Sequence, residues 1–161
     1  MSEPAPIYTT ATPPVPRPLL RYHGGKWRLA PWIIGHFPSH RIYTEAYGGA
    51  ASVLFRKTRS YSEVYNDLDG QIVNLFRVLR DPMQARELVR QVRLTPYARA
   101  EFDASYLLAE DPIEQARRTL LRSMAGFSTV GATGRWKTGF RGKVTRTGTT
   151  PAHDWQTFPA A

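Results

Sequence analysis

The sequence contains no cysteine, and its four histidines are scattered along 161 residues. Disulfides and thiolate-ligated metal sites are therefore excluded, and the four histidines are not interpreted as metal ligands. No apolar stretch approaches the roughly 20 residues that cross a bilayer, and the N-terminus lacks the charged-then-apolar order of a secretion signal. We therefore expect a protein without a metal or a membrane partner, located in the cytoplasm.

Acidic residues are scarce, with 13 Asp and Glu against 22 Lys and Arg, for a formal net charge of +9. Residues 112–161 hold eight basic and two acidic residues, whereas the first 111 residues hold 14 and 11. Such a concentrated positive field suits a polyanion such as nucleic acid. Charge alone leaves open a basic protein with no such partner, because net charge governs association and not fold.

The first 18 residues contain six prolines. Proline fixes φ and lacks a backbone donor, so residues 1–18 are predicted to be a disordered Pro-rich arm. Apolar residues then recur at helical spacing over residues 26–37, after a Gly24-Gly25 turn. Lys26 would begin this helix, where a cation opposes the helix dipole unless an anion or polar ligand is near; a solvated lysine is the alternative.

Residues 42–55 predict a strand over about residues 42–47, a turn of small residues and the start of a helix. Glycine allows the sharp turn and lets a ligand approach the backbone N–H groups that open the next helix. A second strand over 61–66 ends at Asp67, which is 18 positions after Gly49. Doubly wound folds place a ribose-binding carboxylate about 20 positions on, so Asp67 is a candidate ligand. It could instead cap the next helix, although Asp69 is the better placed cap.

Three helices are predicted over residues 82–93, 96–109 and 112–125. Each start has an Asp or Thr before a proline, the order that favours the first turn of a helix. Their core would comprise Leu88, Val92, Phe102, Leu107, Ile113, Leu120, Leu121 and Met124. Three consecutive helices interrupt the βα alternation, which indicates an inserted helical subdomain.

Glycine, basic and aromatic residues follow Met124, in a stretch that predicts a loop or a β-hairpin. Basic side chains interleaved with aromatic ones suit contacts to phosphates and bases, and a solvated loop is the alternative. The candidate DNA contacts are the basic residues Arg135, Lys137, Arg141, Lys143 and Arg146.

Three motifs, in order over residues 19–80, resemble those of the Dam-like family of adenine-specific DNA methyltransferases, which make N6-methyladenine from S-adenosylmethionine. Tyr22-His23-Gly24-Gly25-Lys26 matches the family's aromatic-x-Gly-Gly-Lys. The segment Glu45-Ala46-Tyr47-Gly48-Gly49-Ala50-Ala51-Ser52 matches Glu-Pro-aromatic-x-Gly-x-Gly-Ser, with Ala46 and Ala51 in place of Pro and Gly. Asp67-Leu68-Asp69 matches the family's Asp-x-Asn.

The resemblance implies an α/β fold: a partial Rossmann-like methyltransferase sheet with a helical target-recognition insertion over residues 81–150. The cofactor would be S-adenosyl-L-methionine, bound by residues 19–80, and the partner double-stranded DNA. Tyr22 and Lys26 would contact the methionine part of the cofactor, and Asp67 would hold the ribose. The rest of the pocket would be formed by Glu45, the Gly49 backbone, Tyr47 and Leu68, the last two near the adenine.

The family's catalytic Asp-Pro-Pro-Tyr is missing from the sequence. In the family, this motif accepts hydrogen bonds from the amino group of the flipped-out adenine and stacks on the base. No catalytic residue is therefore assigned, and residues 151–161 are expected to be a truncated return to the sheet. We expect an N-terminal part that is inactive alone, with the motif in a missing C-terminal half.

Two other functions stay open on the sequence. The first is a non-catalytic DNA-binding module, favoured by the charge of residues 112–161. The second is a nucleotide-dependent oxidoreductase, although the segment after the first strand lacks a full Gly-x-Gly-x-x-Gly.

Overall fold

The computed structural model describes residues 15–127, 137–142 and 150–158. In these ranges the chain forms six helices and two strands, and it divides into two compact units. The sheet unit comprises Met1–Pro18 and Gly25–Leu68, and the helical unit comprises Leu19–Gly24 and Asp69–Ala161. None of the helices in the described ranges is long and apolar enough to cross a membrane.

The sheet unit contains helix α1 (Ala30–Ile34) and strands β1 (Ile42–Glu45) and β2 (Ser62–Tyr65). The strands are parallel, in a register that pairs Ile42 with Ser62 and Glu45 with Tyr65. The predicted strands are thus confirmed, with β1 ending two residues before the predicted boundary. A mixed α/β class is therefore observed, whereas a Rossmann-like sheet remains a proposal because this sheet has two strands.

Both helices predicted in the sheet unit differ from expectation. Lys26 precedes α1 rather than beginning it; its carbonyl accepts a hydrogen bond from the Ala30 N–H at 2.7 Å. The other helix was predicted to follow the turn of small residues after β1. It is replaced by consecutive turns over residues 49–56. Gly49 and Ala51 have φ values of 49° and 51°, in the left-handed region, which a right-handed helix cannot include.

The helical unit contains α2 (Gly70–Arg80), α3 (Pro82–Leu94), α4 (Arg99–Ala104), α5 (Pro112–Ala125) and α6 (Pro151–Thr157). The predicted N-caps are confirmed for three of these helices. The carboxylates of Asp69, Asp81 and Asp111 accept hydrogen bonds from backbone N–H groups in the first turns of α2, α3 and α5. Each therefore satisfies a donor that the helix itself leaves unpaired.

The prediction of a helix start at Thr95-Pro96 is wrong. The Thr95 hydroxyl donates to the Gln91 carbonyl at 2.7 Å, so it completes the end of α3 instead of capping a new helix. Helix α4 begins at Arg99 without a side-chain cap and has six residues. Because α4 ends at Ala104, Leu107 lies beyond it and is exposed, contrary to its predicted place in the core.

Helix α5 forms the centre of the helical unit and packs against α2, α3, α4 and α6. Of the predicted core, Ile113 is only half-buried, and six residues are buried as expected: Leu88, Val92, Phe102, Leu120, Leu121 and Met124. In α3 one apolar stripe, which includes Leu88 and Val92, faces the core. The second half of α5, Thr119–Ala125, is buried on all sides because four helices pack around it.

Residues Pro151–Thr157 form a helix and not a strand, contrary to the expected return to the sheet. The Thr150 hydroxyl caps α6 by accepting from the His153 N–H at 3.1 Å. Trp155 is buried and donates its indole N–H to the Thr95 carbonyl at 2.8 Å, which ties α6 to the end of α3. The division into cofactor and recognition parts stays a prediction.

Candidate functional site

The carboxyl ends of the two parallel strands lie at the same edge of the sheet. Residues that follow β1 therefore meet residues that follow β2. The Gly49 N–H donates to the Asp67 carboxylate at 2.7 Å, and the Gly48 N–H donates to the Asn66 carbonyl at 2.9 Å. The structure thus brings together Gly49 and Asp67, two of the predicted cofactor residues, at the edge where open α/β sheets bind their ligands.

Tyr65 holds the glycine turn in place. Its hydroxyl donates to the Gly49 carbonyl at 2.6 Å, and its ring lies against Gly48. A Cβ at Gly48 would come within 2.1 Å of the Tyr65 ring, so position 48 requires a glycine. Sequence reasoning missed Tyr65, because only the parallel register shows that the end of β2 lies beside this turn.

Glu45 organises the segment after the turn. Its Oε1 accepts from the Leu54 N–H at 2.8 Å and from the Tyr43 hydroxyl at 2.9 Å. Burial and the Glu45 carboxylate raise the pKa of Tyr43 well above its usual range, which keeps the phenol protonated as a donor. Glu45 therefore has a clear role in holding the turns, and its contact with a cofactor stays a prediction.

Tyr47 and Leu68 flank this edge with exposed apolar surface. Their exposed fractions are 87% and 83%, although both are large and apolar. Large apolar side chains that are exposed beside a turn are typical of a surface that a planar ligand covers. Contacts of Tyr47, Leu68 and the Asp67 carboxylate with a nucleoside stay predictions.

The two residues predicted to contact the methionine part lie in different units. Tyr22 belongs to the helical unit and Lys26 to the sheet unit. Their roles in cofactor binding stay predictions.

The segment that leads into β2 is anchored by a buried cation. The Lys57 side chain is 2% exposed, forms an ion pair with Glu63 and lies 4.7 Å from the centre of the Tyr43 ring. Burial raises the pKa of Glu63, but hydrogen bonds from Lys57 and the Ser60 N–H outweigh it and leave this pKa below its usual value. These contacts fix where β2 starts, and hence where Asp67 lies.

A comparison with protein families identifies the family of the chain. The model of the D12 class N6 adenine-specific DNA methyltransferases matches residues 22–125, more than half of the chain. The chain belongs to this family. No curated protein matches it in a sequence comparison. The resemblance is confirmed, and family membership implies methyl transfer to adenine N6 with DNA as the substrate.

The DNA contacts predicted for this family member fall partly outside the described residues. Arg135, Lys143 and Arg146 lie outside them, whereas Lys137 and Arg141 lie inside. Lys137 Nζ is 2.9 Å from an Asp103 carboxylate oxygen, in an exposed ion pair. Their contacts with DNA stay predictions.

An antiparallel bridge joins the start of the Gly-rich basic stretch, which follows Met124, to residues 139–141 within it. Gly126 pairs with Phe140, the Phe127 N–H donates to the Gly139 carbonyl and the Arg141 N–H donates to the Ala125 carbonyl, each at 2.8 Å. Residues 128–136 lie outside the described ones, so the choice between a loop and a β-hairpin stays a prediction.

Two tyrosines that sequence reasoning missed fix residues 137–142 to the helical unit. The Tyr97 hydroxyl donates to the Arg141 carbonyl at 3.0 Å, and its ring centre is 5.1 Å from that of Phe140. Burial raises the pKa of Tyr97 to about 12. The Tyr106 hydroxyl accepts from the Thr138 N–H at 3.1 Å. Residues 137–142 are therefore held in a defined position.

The arginines of α5 are engaged within the protein, which corrects the inference from charge. Arg117 forms ion pairs with Glu101 and Glu114, at 3.0 and 2.6 Å, and Arg118 also pairs with Glu114 at 2.6 Å. Arg122 is 1% exposed and its guanidinium contacts the Ser105 carbonyl and the Gln71 side chain. Burial lowers its pKa. Three of the eight basic residues in 112–161 are thus already engaged by acceptors within the protein.

Proposed function

We propose that this chain supplies the cofactor-binding and DNA-contacting parts of a site-specific DNA adenine-N6 methyltransferase that uses S-adenosylmethionine. The observation that carries the proposal is the Gly48–Gly49 turn, held at the carboxyl edge of the sheet by Asp67 and Tyr65. It lies inside the segment that matches the family. A protein that acts on DNA in this way would work in the cytoplasm of a bacterial or phage-infected cell.

The residues proposed to hold the cofactor have separate tasks. Asp67 would accept the ribose hydroxyls, the Gly49 backbone would lie against the cofactor, and Tyr47 and Leu68 would cover the adenine. S-adenosylmethionine, when bound, supplies an electrophilic methyl group. The remaining proposed contacts, to its methionine part and to the pocket wall, are those of Tyr22, Lys26 and Glu45.

We further propose that methyl transfer needs a second polypeptide segment that covers the sheet and supplies the acceptors for the adenine amino group. Ile42 and Val64, one on each strand, are 64% and 45% exposed. Parallel strands are ordinarily covered on both faces, and two strands alone are marginally stable. The 161 residues also contain no Asp-Pro-Pro-Tyr, so no catalytic residue is proposed within them. Alone, the chain should transfer no methyl group to DNA.

Calorimetry of the chain with S-adenosylmethionine and, separately, with NAD tests the proposal. We expect S-adenosylmethionine to bind and NAD not to bind. Asp67→Ala should weaken S-adenosylmethionine at least about tenfold, the loss of a charge-assisted hydrogen bond. Asp103→Ala, which removes an exposed carboxylate of the helical unit, is the matched control and should leave the affinity unchanged.

Three results would contradict the proposal. Binding of NAD in place of S-adenosylmethionine would indicate an oxidoreductase. DNA affinity that survives Lys26→Ala and Asp67→Ala, with no binding of S-adenosylmethionine by the parent chain, would indicate a non-catalytic DNA-binding module. Labelled methyl groups incorporated into adenine by the purified chain would exclude the need for a second segment.

A further inference from the structure

Helix α3 carries a row of three arginines on the side opposite the core. Arg86, Arg90 and Arg93 are spaced four and three residues apart, so they share one face of the helix. All three are exposed, whereas Leu88 and Val92 on the other side are buried. We call Arg86, Arg90 and Arg93 the arginine row.

Two members of the arginine row form no ion pair or hydrogen bond with any described residue. These are Arg86 and Arg93, whereas Arg90 donates to the Glu87 carboxylate at 2.7 and 2.6 Å. Arg77 and Arg80, in the last turn of α2, are exposed and likewise unpaired among the residues that the structure describes. The surface thus holds cations whose charge the described residues do not neutralise.

The surroundings of the arginine row contain few acids. Residues 70–94 contain five arginines and only two acidic residues, Asp81 and Glu87. The Asp81 carboxylate is used to cap α3. The opposite holds on α5, where glutamates neutralise Arg117 and Arg118. Exposed cations that are unpaired among the described residues therefore lie on α2 and α3, in a segment that the sequence did not indicate as a contact for a polyanion.

We propose that the arginine row binds backbone phosphates of duplex DNA, without regard to base sequence, in addition to the contacts predicted for Lys137 and Arg141. The proposal rests on the proposed function for its partner, since DNA is the substrate of the family. Guanidinium groups donate paired hydrogen bonds to phosphate oxygens. Arg86 and Arg93 are about 10 Å apart along the helix axis, so they would meet different phosphates.

The test is a salt titration of DNA binding by the full chain, with a duplex made only of G·C pairs. Such a duplex offers phosphates but no target adenine. The slope of the logarithm of the binding constant against that of the salt concentration reports the number of phosphates neutralised, at about 0.9 each. The double variant Arg86→Gln with Arg93→Gln should flatten this slope by about 1.8. Affinity should also fall several-fold at low salt.

Two matched variants sharpen the test. Glu87→Gln removes the partner of Arg90 and should strengthen binding and steepen the slope by up to about 0.9. Arg59→Gln removes an exposed arginine of the sheet unit and should change the slope much less. Circular dichroism should show unchanged helix content in all of them, because the substituted side chains are on the surface or half-buried.

An unchanged slope in the double variant, or an equal change in Arg59→Gln, would overturn the proposal. Equal binding to poly-glutamate, with the same loss in the double variant, would overturn it in favour of an acidic protein partner. Failure of the proposed function is separate, since it is measured by S-adenosylmethionine binding. That binding should be the same in the double variant and the parent chain.

Discussion

The two units place their large apolar side chains in opposite ways. The helical unit buries Leu75, Phe102 and Trp155 to 2% exposure or less. In the sheet unit the buried residues are small, such as Ala30 and Ala50, and most of the large apolar ones are on the surface. The comparison teaches that the helical unit completes its own core, whereas the sheet unit presents a turn and leaves its apolar surface to be covered.

The interactions that maintain order differ accordingly. The turn of the sheet unit depends on directed hydrogen bonds from Gly49, Tyr65 and Leu54 to fixed acceptors. Packing around α5 dominates in the helical unit. Removal of one buried side chain should therefore lower the stability most in the helical unit. A change of backbone conformation at one residue should lower it most in the sheet unit.

The largest expected effect is on the core of the helical unit. Leu121→Ala removes a fully buried side chain from α5 and should lower the free energy of unfolding by about 2–5 kcal/mol. Ile42→Ala, on an exposed strand position, should lower it by at most about 0.5 kcal/mol. Denaturant titration followed by circular dichroism measures both. Equal losses would break the comparison between the units.

A smaller effect is expected at the glycine turn. Gly48→Ala forces the Tyr65 ring aside and breaks its hydrogen bond to Gly49, so unfolding should become easier by about 1–3 kcal/mol. Gly70→Ala is the control, because a Cβ there meets nothing within 4 Å and α2 gains a better helix former. A Gly48→Ala variant as stable as the parent chain would show that Tyr65 does not constrain the turn.

The smallest effect is expected at Ala51, where the family has glycine. With φ at 51°, this residue bears a backbone strain that glycine lacks. For Ala51→Gly, relief of strain should offset the lost methyl group and leave the stability within about 0.5 kcal/mol. Ala50→Gly, equally buried but without a positive φ, should cost about 1–2 kcal/mol. The same cost for both variants in thermal unfolding would refute the strain.

Local signals in the sequence predicted much of the fold. The Asp69, Asp81 and Asp111 caps were correct because capping depends on neighbours within one helical turn. Thr95 failed, since a hydroxyl can bond to the preceding helix as readily as it caps the next one. The charge of α5 was misleading for another reason, because a charge count does not reveal which arginines are already paired with glutamates.

By itself the sequence determined the family, the order of its motifs, the two strands and the starts of three of the six described helices, because these depend on residues close together in the chain. Only the tertiary structure decided that Tyr65 constrains Gly48, that Asp67 accepts the Gly49 N–H, and that arginines of α2 and α3 are unpaired among the described residues whereas those of α5 are engaged. Each of these facts joins residues whose proximity depends on strand register or helix packing, which local patterns do not encode.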